Sequence, residues 1–276
     1  MFKLGAHLSI SGGYHKALEH IVEIGGNCLQ IFSTTPRGWS FAKITEQQIF
    51  DFTSLKSKLK VNPVYFHASY LINLANEGKI GHLSKLSLIS DLSIAPKLQI
   101  KGSIIHLGSY KDQKTNIKYQ KLISNIKNIL AKTPRNSLFI IENAGNNKIG
   151  KDLKEIAKII KDARDSRIRV CLDTCHLYSS GYDLSTEEKL DRFLELFDSL
   201  IGLERLELFH FNDSKDPFDS GRDRHENIGK GTIPIETFKL IMTHPKLKHL
   251  PLIIETPGFD DEGPDKKNLD ILKRLV

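Results

Sequence analysis

The 276 residues, 39% hydrophobic and 26% charged, have the proportions of a globular protein able to bury a sizeable core. Three cysteines, an odd number in so long a chain, argue against a disulfide-stapled scaffold, and no apolar run approaches the roughly 18 residues of a membrane span. A net charge of +7 admits a polyanionic partner, the ordinary counter-reading being a lysine-rich solvated surface.

In chain order, the opening "MFKLGAHLSI" breaks at Gly5 and His7, too early for the core of a secretory signal, so a reducing cytoplasmic compartment is expected. Strand signals, short β-branched apolar runs, fall at 3–9, 28–32, 64–69, 103–108, 138–143, 169–173, 206–212 and 252–256. Helical periodicity fills the intervals, at 13–24, 45–59, 78–99, 115–131, 150–162, 186–200, 234–242 and 265–275. Thr45 before Glu46, and Thr186 before Glu187 and Glu188, mark two helix starts. Eight strand-then-helix units predict an α/β fold, a single-domain (β/α)8 TIM barrel spanning 1–276. An open doubly wound sheet is the alternative, but no GxGxxG follows the first strand. No internal repeat, low-complexity stretch or linker interrupts the pattern.

His67, His106, Glu142, Asp173, His210 and Glu255 each fall at or near the C-terminal end of a different predicted strand. A parallel barrel gathers those ends on one face, where active sites are built. His176 lies three residues past Asp173, and "GRDRHENIG" adds Asp223 and His225 in the long loop after strand seven. Taken singly, each has an ordinary explanation: a hydrogen-bonded core histidine, a helix-capping carboxylate, a solvated loop residue. Together they would crowd acids and imidazoles into one low-dielectric mouth, which cations neutralise most cheaply.

Five imidazoles and four carboxylates favour zinc, with manganese or iron as alternatives. Nine groups exceed what one catalytic zinc takes, so two or three ions are expected. The stretch "VCLDTCHLYSSGYD" could also suggest a thiolate site, but Cys171 and Cys175 are spaced as C-x₃-C, not CxxC. Strand alternation puts Cys171 one layer below Asp173 as a small filler, and Cys175 is expected in the following turn. His7 points toward the same mouth as a candidate support for a ligand. His15, His20, His82, His244 and His249 are expected at the surface.

With these residues in place, the chain closely resembles the endonuclease IV family of abasic-site (AP) endonucleases. The resemblance is carried nearly end to end by "GAHLSISGG", "PRGW", "HASYLINLA", "HLGS", "IEN", "CLDTCHLYSSGYDL", "FHFNDSK", "DRHENIGKG" and "IIETPG". It implies a barrel holding three Zn2+ ions, with Mn2+ a possible substitute. His67, His106 and Glu142 would bind the first, Glu142 would bridge to a second held by Asp173, His210 and Glu255, and His176, Asp223 and His225 would bind the third. Glu142 and Glu255 would be catalytic. The implied activity is that of a deoxyribonuclease IV (phage T4-induced type), acting as a monomer on double-stranded DNA with abasic sites or blocked 3′ ends. Arg37, Tyr70 and Leu71 match the family's DNA-binding insertion. Two loops depart from the family pattern: "NAGNNKIG" after Glu142 is shorter than usual, and Gly221 stands where an arginine is common.

Arg37, Lys148, Lys215, Arg222, Arg224 and Lys230 all fall in loops on the expected catalytic face, which turns the net charge toward phosphate tracking. A metal-dependent sugar isomerase or epimerase on a related barrel is the competing reading. Such an enzyme needs one or two ions, leaving the His176, Asp223 and His225 set and "PRGW" without a role. An intact ligand set also speaks against a catalytically silent DNA- or metal-binding protein.

Overall fold

The structure, a computed structural model, describes residues 2–111 and 113–276. Seven of the predicted strands form β1 (Leu4–Leu8), β2 (Cys28–Phe32), β3 (Val64–His67), β4 (Gly102–Ile105), β5 (Leu138–Glu142), β6 (Ile168–Asp173) and β7 (Leu206–His210). A short antiparallel hairpin follows, β8 (Asp213–Ser214) with β9 (His225–Glu226), and then the eighth barrel strand, β10 (Leu252–Ile254). Each barrel strand pairs in parallel with its neighbours, and β10 pairs both β7 and β1, closing the barrel. The open-sheet alternative is thereby excluded.

Outside run α1 (Tyr14–Glu23), α2 (Glu46–Lys58), α3 (Lys79–Ile94), α4 (Asn116–Ala131) and α5 (Leu153–Ala163). They are followed by the short α6 (Thr174–Ser179), then α7 (Glu187–Leu200), α8 (Ile235–Thr243) and α9 (Lys266–Lys273). Thr45 caps α2 in a reciprocal box with Gln48, and Thr186 accepts the Lys189 N–H at the start of α7. The predicted helix at 78–99 is shorter than expected. It gives way at Ala95–Leu98 to a 3₁₀ turn containing Pro96, whose ring removes a backbone donor from the helical ladder.

Strand alternation builds two separate apolar layers. Outward residues such as Leu29, Ile31, Ile141, Leu172 and Phe209 pack under the helices. Inward residues form a distinct plug inside the barrel: Cys28, Tyr65, Ile104, Ile140, Cys171, Leu208 and Ile253. On β1 this level is Gly5, where an added Cβ would lie 2.0 Å from the Cys28 carbonyl oxygen. Two residues farther along each strand the same face turns polar, giving His7, Gln30, His67, His106, Glu142, Asp173, His210 and Glu255. Every barrel strand therefore contributes one polar side chain above the plug.

Candidate metal centre

Glu142, fully buried at the end of β5, occupies the middle of the polar layer. Its Oε2 lies 3.2 Å from His67 Nε2 and 3.2 Å from His106 Nε2. Its Oε1 lies 2.9 Å from His210 Nδ1, which also faces Glu255 Oε2 at 3.3 Å and Asp173 Oδ2 at 3.9 Å. One set able to hold an ion is thus His67, His106 and Glu142, and a second is Glu142, Asp173, His210 and Glu255.

A third set comes from outside the barrel strands. The Asp173 carboxylate accepts the His176 N–H at 2.9 Å and so starts α6 directly from the end of β6. That one turn aims His176 into the mouth, where Nε2 lies 2.9 Å from Asp223 Oδ1. The β8–β9 hairpin returns the long loop over the barrel and brings His225 Nε2 to 3.6 Å from both Asp223 Oδ1 and Asp173 Oδ2. Gly145 lets the loop after β5 lie against this helix, because a Cβ there would fall 2.6 Å from Ser179 Oγ and 3.0 Å from His176 Cα.

Three of the histidines have a backbone carbonyl against Nδ1, whereas His106 Nδ1 is buried without a partner among the described residues. His67 Nδ1 is 2.7 Å from the Ala68 carbonyl, His176 Nδ1 is 2.9 Å from that of Asn143, and His225 Nδ1 is 3.3 Å from that of Glu255. A carbonyl only accepts, so each Nδ1 carries a proton, and in the neutral imidazole each Nε2 presents a lone pair to the cluster. His225 Nε2 is buried without a hydrogen-bond partner among the described residues. A ring nitrogen facing a carboxylate this closely is satisfied by a proton between the two or by a cation they share.

Titration in the metal-free site follows the same geometry. Burial would raise the Glu142 carboxyl, but His106 and His210 beside it hold it well below the usual range. Burial opposes the charge on His176 too, yet Asp173 and Asp223 override it and raise the imidazole to about 10. His106, shielded by burial from water, falls to about 4. Without metal, protons on imidazoles balance the carboxylates; a divalent cation replaces them and releases them.

The two cysteines differ from each other in position. Cys171 lies in the plug, its thiol pushed up to about 12 by burial. Cys175 is in α6 and not in a turn as expected, because the cap on Asp173 starts the helix at once. Its Sγ comes within reach of Asp173 and His225. Burial also pushes this thiol up, and it faces the Arg224 carbonyl at 3.7 Å. His7 Nδ1 is 2.9 Å from Glu255 Oε1, a contact to a candidate ligand. His15, His20, His82 and His249 are exposed, but His244 is not: it is half-buried, with Nε2 3.0 Å from Asp191.

A cleft of about 1070 Å³ opens from this centre, running from His7 and Glu255 past Tyr70 and Lys148 to Lys16 and Glu262 at the rim. Tyr70 after β3 lines it, 63% exposed and with its ring edge-on to Phe32, and the next residue, Leu71, is 37% exposed. Arg37 and Lys230 are exposed. The remaining loop cations are less free than their positions suggest. Arg224 grips Asp216 through Nε at 2.7 Å and Nη2 at 2.5 Å, and Arg222 reaches the same carboxylate at 3.4 Å. Lys215 lies 3.9 Å from Glu226, and Lys148 lies 3.9 Å from Asp223.

Residues 18–275 match the family described as xylose isomerase-like TIM barrel. A relative from Halothermothrix orenii named probable endonuclease 4 is 34% identical over 276 residues, covering 99% of each chain. Apurinic-apyrimidinic endonuclease 1 of Plasmodium falciparum is 37% identical over 279 residues, covering 99% of this chain and 47% of its own. The crystal structure of endonuclease IV from Thermus thermophilus superposes with a TM-score of 0.86 at 31% identity, covering 99% of this chain and 98% of that one. With its closed barrel and a match along nearly all its length, the chain belongs to the endonuclease 4 family of xylose isomerase-like TIM barrels.

Proposed function

We propose that this chain, acting over 1–276 as one monomeric domain, is a DNA repair endonuclease. It hydrolyses the phosphodiester 5′ to an abasic site, leaving a 3′-hydroxyl and a 5′-deoxyribose phosphate, and it removes blocking groups from 3′ ends. Three zinc ions serve it, with manganese an acceptable substitute. His67, His106 and Glu142 would hold one; Glu142, Asp173, His210 and Glu255 a second; His176, Asp223 and His225 a third. The observation that carries this reading is the set of imidazole lone pairs aimed at shared carboxylates, fixed by backbone carbonyls behind them. The name of the Plasmodium relative supports the abasic substrate.

When bound, the ions supply charge neutralisation at the anionic phosphodiester and a water acidic enough to attack near neutral pH. Glu142 keeps two sets of ligands in register through its two oxygens. Glu255 offers Oε2 toward the mouth, where it orients the attacking water and takes its proton. The exposed Tyr70 and Leu71 would serve as an apolar wedge in the duplex, and the exposed Arg37 and Lys230 would meet phosphates. An abasic nucleotide has no base pair and little stacking to lose, so extruding it costs less than flipping a paired base. The test is a duplex carrying one abasic analogue. Incision on its 5′ side, lost on chelation and restored by zinc, is expected; an intact lesion strand with fully metallated protein would sink the proposal.

A further inference from the structure

Of the eight polar side chains above the plug, Gln30 on β2 is the one that cannot ionise. It is completely buried. A primary amide in such a place is costly unless its hydrogen-bonding groups are used. Here both ends are. Oε1 lies 2.8 Å from His210 Nε2, while Nε2 donates to Glu255 Oε1 at 2.6 Å; His7 Nδ1, which donates to the same Glu255 oxygen, neighbours that amide nitrogen at 2.8 Å without accepting from it.

The chemistry of the partners fixes which way the amide points. The Glu255 carboxylate is an acceptor, so the Gln30 atom 2.6 Å away must be the NH₂ group; reversing the amide would set two acceptor oxygens against each other. With its NH₂ committed to Glu255, Gln30 presents its carbonyl oxygen to His210. His210 Nε2 must then carry the proton, leaving the lone pair on Nδ1, the atom that faces Glu142, Asp173 and Glu255. His67, His176 and His225 take their tautomers from backbone carbonyls; His210 takes its own from a side chain. At the other end, Gln30 and His7 occupy the same oxygen of Glu255, leaving Oε2 to turn toward His210.

We infer that Gln30 is a positioning residue for the ion held by Glu142, Asp173, His210 and Glu255, setting with one amide the tautomer of His210 and the free oxygen of Glu255. This rests on the proposed metal site and adds to it a residue that is not a ligand. Gln30→Met, matched in length, removes both hydrogen-bonding ends, and Gln30→Glu keeps an acceptor for His210 but puts an acid where Glu255 needs a donor. In competition with a chelator, wild-type protein should retain all its zinc at a concentration where either variant has lost one ion, a shift of about tenfold or more. Independently of any variant, ring nitrogen shifts in zinc-loaded wild-type protein should show His210 with a protonated Nε2 and metal on Nδ1. Zinc retention unchanged in folded variants, or a protonated Nδ1 on His210, would overturn the role of Gln30 alone. Wild-type protein that binds no zinc would overturn the metal site itself.

Discussion

Glu255 divides its two oxygens between two tasks, one tied to His7 and Gln30 and the other turned to the mouth. Glu255→Gln keeps the size and removes the charge. Turnover should fall by at least about a hundredfold while binding to damaged DNA survives, because in the proposed function the carboxylate would act on the attacking water and not on the duplex. Near-normal turnover in a fully metallated variant would show that the charge is not needed. His176 is the complementary case. With Asp223 and His225 it forms a third candidate set, adjoining the others where His225 also faces Asp173, so His176→Ala should remove about one zinc of three and leave the circular dichroism spectrum intact. Elemental analysis of freshly purified protein decides; a wild-type chain holding a single metal would refute the division.

At the scale of the element, the segment after β3 offers a test that separates the proposed DNA contact from the proposed metal chemistry. Tyr70 and Leu71 follow His67 by three and four residues and are exposed, Tyr70 in the lining of the cleft. Replacing both with alanine should leave zinc content unchanged and weaken binding to an abasic duplex by about 1–3 kcal/mol, with hydrolysis of a small phosphodiester nearly untouched. Equal losses on both substrates would mean that the pair only braces the His67 loop. Helix α3 carries a different liability. Asp91 is buried against β2, accepting the Ser33 hydroxyl at 2.5 Å, and burial raises its carboxyl from 3.8 to about 7. The native state therefore keeps a proton that the unfolded chain releases near pH 4. The stability this supplies is complete below about pH 4 and is lost as pH rises through 7. Asp91→Asn should accordingly be more stable than wild type by about 1–3 kcal/mol at pH 8 and no more stable at pH 4, measured by urea unfolding. The eight barrel strands were legible as short β-branched apolar runs between amphipathic stretches, and the site because six of those runs end at or near a histidine, aspartate or glutamate. The elements around the rim were not. "TCHLYS" is too short to show helical periodicity, and β8 and β9 have two residues each. Gln30 escaped notice because an amide is not a ligand type and its importance lies in which partners the barrel brings to it. Nor could spacing reveal that Arg222 and Arg224 both turn onto Asp216.

For the whole molecule, the apolar shell and the polar mouth are separate sources of stability. The shell is continuous beneath the helices and does not depend on ions. Stripping the protein with a chelator should leave its secondary structure at 25 °C unchanged yet lower Tm by more than about 5 °C, restored on adding zinc, since ligands that bind only the folded state stabilise it. An unchanged Tm would mean that the mouth holds no tightly bound ion. The pairing of β10 with both β1 and β7 has a consequence for synthesis. While residues before Leu252 emerge from the ribosome, the sheet keeps two unpaired edges and Glu255 is missing from the mouth. A stalled or clipped chain ending there can fold helices and pair seven strands, but it cannot complete the ring of side chains that would grip a phosphodiester. The capacity to cut DNA is withheld from every unfinished copy until the last strand docks.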